Sequence, residues 1–153
     1  MDVKVINPFL SATVSLLKDA AAIEAKKEAV NLQQKDKLKY DVGVIIGIVG
    51  AFEGSIIFGM STELAIYIAS KMMGGFQLDS FNEIAQSAIS ELGNMISGNA
   101  AASLEAENVI IDITPPSLVV GREVEIKSFN ASIVTITFNI DGKKFDVNIS
   151  SAK

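Results

Sequence analysis

Apolar and polar residues alternate along the last third of the chain: Val134, Ile136, Phe138 and Ile140 are interleaved with Thr135, Thr137 and Asn139, and Phe145, Val147 and Ile149 with Asp146, Asn148 and Ser150. A period of two places one set on each face of a pleated strand, so the segment predicts two strands, each with one apolar side. Asp141-Gly142 between them fits a tight hairpin turn. Three earlier segments repeat at spacings of three and four instead. Asn7-Pro8 opens a helix through Phe9, Leu10, Ala12, Thr13, Leu16 and Leu17 to about residue 20, Pro being suited to a first helical position. Ser61-Thr62-Glu63 opens a second helix through Leu64, Ile66, Ile68, Ala69 and Met72, which Gly74-Gly75 stops. Ser80-Phe81-Asn82-Glu83 fits a capping box, in which hydroxyl and carboxylate satisfy free amides, and starts a third helix running over about 80–103.

Strands at about 27–33, 40–49 and 53–60 fall between the first and second helices, with a turn at Glu53-Gly54. A one-sided apolar sheet needs cover on that side alone. The predicted class is therefore α+β, an antiparallel sheet with helices packed on one face. At 153 residues the chain is expected to form a single domain over 1–153.

Composition narrows the chemistry. There is no Cys and no His. Disulfides, thiol nucleophiles, imidazole bases and the usual zinc sites are excluded, so any catalysis falls to carboxylates, amides and hydroxyls. A net charge of -5, from 13 Lys+Arg and 18 Asp+Glu, offers no global footprint for nucleic acid. Residues 41–60 approach the length of a membrane helix, but Glu53 and five glycines interrupt them, so strand-turn-strand is expected and membrane insertion is not. Phe9 to Leu17 imitates a short signal core, yet Asp2 and Lys18-Asp19 flank it, and a cytoplasmic location is expected. With 49% hydrophobic residues, some apolar surface is expected to meet a partner.

On the third helix, Phe81, Ile84, Ala85, Ala88, Leu92 and Met95 form an expected core stripe. Ser87, Glu91, Asn94 and Gly98, spaced by four, three and four, fall together on the adjoining flank. A hydroxyl, a carboxylate and an amide within reach of one another make a compact polar site; they equally suit an ordinary solvated face. Gly93 and Gly98 each cost a helix about 1 kcal/mol against Ala, and on this flank they would let another surface approach the backbone. A weak internal repeat accompanies this: Ser11 to Lys18 can be laid on Ser87 to Asn94 at an offset of 76.

These residues resemble the CheC/CheX/FliY family of chemotaxis phosphatases. Glu91-Leu92-Gly93-Asn94 reads as the family's ExxN motif, with Ser87 at the acidic-or-Ser position four before the Glu and prolines in Asp112-Ile113-Thr114-Pro115-Pro116 downstream. Gly47 to Ser55, Met72-Met73-Gly74-Gly75 and Val120-Gly121-Arg122 follow in CheX-like order and spacing, so the likeness covers nearly the whole chain. The resemblance implies a CheC-like fold of pseudo-duplicated αββ halves. Ser15 and Lys18 stand where Glu91 and Asn94 stand in the second half, which implies one site, as in CheX, rather than the two of CheC.

It further implies hydrolysis of the aspartyl phosphate on a phosphorylated CheY-like receiver in chemotaxis signalling. Glu91 and Asn94 would be catalytic, Ser87 and Gly98 partner-binding. No cofactor of the chain's own is implied; Mg2+ is expected in the receiver. A homodimer is also implied. The competing expectation is a non-catalytic module of the same fold that binds receivers or flagellar-switch parts. Three other features carry less. Gly47 to Gly54 has no Lys-Ser/Thr for a phosphate loop, Lys26, Lys27, Lys35, Lys37 and Lys39 suit the guarding of an edge strand or an acidic partner, and Glu105, Glu107 and Asp112 lack calcium-loop spacing.

Overall fold

The computed structural model describes residues 3–33, 37–127 and 132–151. Its elements are α1 (Val3–Ala21), β1 (Lys26–Gln33), β2 (Lys37–Gly50), β3 (Gly54–Met60), α2 (Thr62–Met72), α3 (Glu83–Ala106), β4 (Ile111–Ile113), β5 (Ser117–Lys127), β6 (Ser132–Ile140) and β7 (Lys143–Ser151). Among the described residues the strands form one seven-stranded sheet in the order β1-β6-β7-β3-β2-β4, with β5 also on β2, and every pairing is antiparallel. Val42, Val44, Ile46 and Ile48 of β2, Ile56, Phe58 and Met60 of β3, and the alternating apolar residues of β6 and β7 form one buried cluster with residues of all three helices. The expected α+β class, with helices covering one sheet face, is the architecture found.

Two halves are visible, and each is larger than αββ. A helix and a hairpin, α1 with β2-β3 and α3 with β6-β7, are each joined by a further strand that pairs with the other half's hairpin: β1 lies on β6 and β5 on β2. The two long helices share a burial pattern at the offset of 76. Phe9, Thr13, Leu17 and Ala21 are buried on α1, and Ala85, Ile89, Gly93 and Ser97 on α3.

Local boundaries depart from the sequence pattern where packing overrides it. The first helix begins at Val3, so Pro8 lies inside it; buried Ile6 and Phe9 anchor the extra turn although the proline nitrogen has no hydrogen to donate. The second helix is capped as expected, with the Leu64 amide donating to Ser61 Oγ at 3.1 Å. The third is not capped by Ser80. Asn82 takes the extended cap conformation and accepts from the Ala85 amide at 3.0 Å, leaving Glu83 as the first helical residue. The hairpin turn between β2 and β3 spans Ala51 to Glu53, after Gly50 at φ 117°, so the glycines of residues 47–54 serve a turn and not a phosphate loop. Phe9 to Leu17 is core helix, and no helix among the described residues is long and apolar enough to cross a membrane. Lys26 and Lys27 are exposed on edge strand β1, which fits the edge-guarding reading; Lys35 lies outside the described residues, as does Asp2.

The sheet face away from the helices is closed differently. The first residues of β2, Lys37 to Tyr40, pair with β5 and not with β3, whose pairing starts at Val42. This arm sends Tyr40 over Gly59, where any Cβ would collide with the phenol ring. Tyr40 Oη donates to Asp146 Oδ2 at 2.6 Å and accepts from Asn148 Nδ2 at 3.0 Å. Asn148 also donates to the Ile57 carbonyl and accepts from Thr135 Oγ1, while Thr137 Oγ1 donates to Asp146. Leu38, Ile57 and Ile133 are buried yet stand outside the helix-side cluster, a small second apolar layer around this network.

Burial, and then the Asp146 charge, raise the Tyr40 pKa well above its ordinary 10.0. Above that ordinary value the unfolded chain would release a proton that the folded chain keeps, so the contribution is intact below about pH 10 and is lost as pH rises further. In a spectrophotometric titration Tyr40 is expected to ionise only as the fold opens. A phenol that titrates reversibly near pH 10 with the fold intact, in a Tyr67→Phe background, would show that the network does not hold it.

Candidate active site

Helix α3 turns Ala85, Ile89, Leu92, Ile96, Ala100 and Leu104 into the core. The stripe is rotated from the one expected: Ile84 is exposed, and Phe81, Ala88 and Met95 are only partly buried. Gly93 explains the rotation. It faces inward, and a Cβ there would meet Val44 Cγ1 at 2.9 Å and the Phe58 ring at 3.3 Å. The glycine therefore lets α3 press onto the sheet; it does not open the helix to a partner, as its position on the flank had implied. Gly98 does face open space, where a Cβ would meet nothing within 4 Å.

That rotation leaves Ser87 and Glu91 exposed and Asn94 half-buried on one outward face. Glu91 and Asn94 are about 4.5 Å apart along the helix axis at 1.5 Å per residue. Among the described residues, none of the three side chains has a hydrogen bond or ion pair within the fold. Ser87 thus differs from Thr13, whose hydroxyl donates to the Phe9 carbonyl of its own helix at 2.7 Å. A carboxylate, an amide and a hydroxyl are held by a packed helix with their hydrogen-bonding capacity unspent.

Two shallow grooves flank this face. One, about 460 Å³, is lined by Glu83, Gln86, Ser87, Ser90, Glu91, Pro116 and Leu118. The other, about 610 Å³, runs between Met73, at the end of α2, and Ile84, Ala88 and Glu91 of α3. Neither contains Asn94, which lies one turn beyond Glu91 on α3. The Pro115-Pro116 segment is placed by a lock on β2: the Gly47 amide donates to Thr114 Oγ1 at 2.8 Å, and the Thr114 amide to the Gly47 carbonyl at 3.0 Å. The prolines thus lead into β5, and they also bring Pro116 and Leu118 to the wall of the site, which no sequence pattern signalled. No group of three or more acidic residues able to hold a metal is found among the described residues.

A family model described as "Chemotaxis phosphatase CheX" matches residues 42–139. The chain belongs to this family. The match includes the whole outward face of α3, the β2-β3 hairpin from Val42 onward and β6 up to Asn139, and stops before β7. CheY-P phosphatase CheX of Thermotoga maritima is 35% identical over 150 residues, which cover 98% of this chain and 97% of that one. The crystal structure of a CheX from Desulfovibrio desulfuricans superposes with a TM-score of 0.89 at 26% identity, covering 96% of this chain and 98% of that chain. A chain of the CheX-CheY-BeF3-Mg2+ complex from Borrelia burgdorferi matches with a TM-score of 0.83 at 32% identity, covering 97% of each.

Proposed function

We propose that the chain dephosphorylates the aspartyl phosphate of a CheY-like response regulator in chemotaxis, by laying the outward face of α3 on the receiver. The observation that carries this reading is Asn94, half-buried beside Glu91 on a rigid helix, with no hydrogen-bond partner among the described residues. A relative 35% identical over nearly the whole chain is a CheY-P phosphatase, and another has been solved with CheY, BeF3 and Mg2+.

The chemistry suits these residues. An acyl phosphate is already labile, so what a partner protein has to add is a water in line with the bond to be broken. Water adds to phosphorus as the aspartyl oxygen leaves, giving a carboxylate and inorganic phosphate. An amide accepts from that water with its carbonyl and donates with its NH2 without titrating, much as a Gln orients water in GTPases. Asn94 takes this role. Glu91 pairs with a lysine of the receiver and so fixes the docking of α3; a charge pair of this kind sets register as much as affinity. Ser87 and Gly98 meet the receiver on either side. The chain needs no metal, and the Mg2+ belongs to the receiver. A homodimer in the cytoplasm completes the reading, supported by Val30 and Leu32, exposed on edge strand β1.

The test is to follow loss of phosphate from Mg2+-containing phosphorylated receivers, with and without the purified chain. Faster decay with at least one CheY-like receiver is expected. Binding to receivers with decay at the intrinsic rate would instead establish the non-catalytic module.

A further inference from the structure

Resting on that reading, we propose that Met73 and Ile84 form an apolar anchor that grips the phosphorylated receiver and selects it, apart from the chemistry at Asn94. Ile84 is 53% and Met73 44% exposed, although each belongs to an ordered helix end. They line one groove together with Ala88, Ser87, Glu83 and Glu91. The corner that carries them is pinned. The Leu78 amide donates to Ser70 Oγ at 3.1 Å, Leu78 itself is buried, and Asn82 caps α3 two residues before Ile84. Large apolar side chains held open to solvent on a fixed support lose little entropy when covered. They are the kind of group that dominates binding at an interface centre.

Charge names the occupant. The two grooves beside α3 carry Glu83 and Glu91 and no cationic side chain in their walls. A dianionic phosphoryl group is repelled there, so it belongs toward Asn94, about 15 Å along the α3 axis from Ile84 at 1.5 Å per residue. What fits the grooves is the receiver surface around its phosphorylated aspartate, presenting a lysine ammonium and apolar side chains. Continuity supports this, since Ser87 and Glu91 line this groove and the catalytic face alike. The anchor is remote from the reacting atoms. It contributes the same binding energy before and during hydrolysis, and so governs KM and leaves kcat alone.

The experiment is steady-state dephosphorylation of a Mg2+-loaded phosphorylated receiver by wild type, Ile84→Gln and the Met73→Gln/Ile84→Gln pair, with Val3→Gln, 64% exposed at the start of α1, as control. The pair is expected to raise KM about tenfold or more, and Ile84→Gln alone about threefold or more, with kcat within about twofold and the control unchanged. Thermal melts check that the fold is intact; should the pair fold poorly, Ile84→Gln decides, because Gln suits an exposed helical position. A KM within twofold of wild type for folded Ile84→Gln would overturn the anchor and leave the phosphatase reading standing, as would a fall in kcat at constant KM. A wild-type chain that accelerates no receiver would remove both.

Discussion

Replacing Asn94 with Ala is expected to lower the maximal rate of receiver dephosphorylation by about 10²–10³-fold, the usual loss when one positioned hydrogen-bonding group is taken from a transition state. The size of the effect follows from how little else the chain offers. It has no His or Cys to serve as a second base or nucleophile, and on the outward face of α3 Asn94 is the amide one turn from Glu91. Because the Asn94 side chain has no hydrogen bond among the described residues, its removal should leave helix content unchanged by circular dichroism and stability within about 0.5 kcal/mol. Asn94→Asp should be no better, since an isosteric carboxylate cannot donate and repels the phosphoryl group. Glu91→Ala should also abolish acceleration at ordinary concentrations, but through docking, so that its defect is partly relieved by excess chain. A loss of less than about threefold for folded Asn94→Ala would rule out the water-orienting role.

The second large effect concerns stability. Asn148→Ala should destabilise the fold by about 2–4 kcal/mol, measured by denaturant melts, because three hydrogen bonds of a fully buried amide are lost together with its packing. Asn148 ties Tyr40 of the β2 arm to Thr135 of β6 and the Ile57 carbonyl of β3. Without it, the buried Thr135 hydroxyl and Ile57 carbonyl each lose a partner, and Tyr40 loses the donor to its phenol oxygen. The network lies on the sheet face opposite α3, so receiver dephosphorylation well below the melting temperature should stay within about twofold of wild type. A cost under about 1 kcal/mol would mean that the arm is held by Leu38 and its apolar neighbours alone.

The reach of the sequence can be judged from α3. Its existence and the shared flank of Ser87, Glu91 and Asn94 were legible because periodicity and spacing are local properties of the chain, and its motif was legible through the family resemblance. Its cap and the centre of its buried stripe were not. Ser80-to-Glu83 matched a capping box, but Asn82, two residues later, met the Ala85 amide. The stripe turned because Gly93 fits against Val44 and Phe58, residues distant in sequence that only the folded sheet brings beneath it. The hairpin at Asp141-Gly142 was fully legible, both residues taking positive φ as a tight turn demands. The β2 arm, by contrast, reads as ordinary strand.

The walls of the site were the least legible part. Met73, Ile84, Pro116 and Leu118 come from three separate segments, and nothing in their local patterns marks them; Thr114 reaching Gly47 is what carries the proline segment to α3. The sequence by itself determined the α+β class, the two hairpins, the chemistry left available without His or Cys, and the pairing of Glu91 with Asn94 on one helix face. The tertiary structure alone decided which way that helix is turned, what flanks it, and how the far side of the sheet is closed. The division has one cause. Helical and strand periods are set by neighbours a few residues apart, whereas orientation and enclosure are set by contacts between segments far apart in the chain, through close packing that no local pattern encodes.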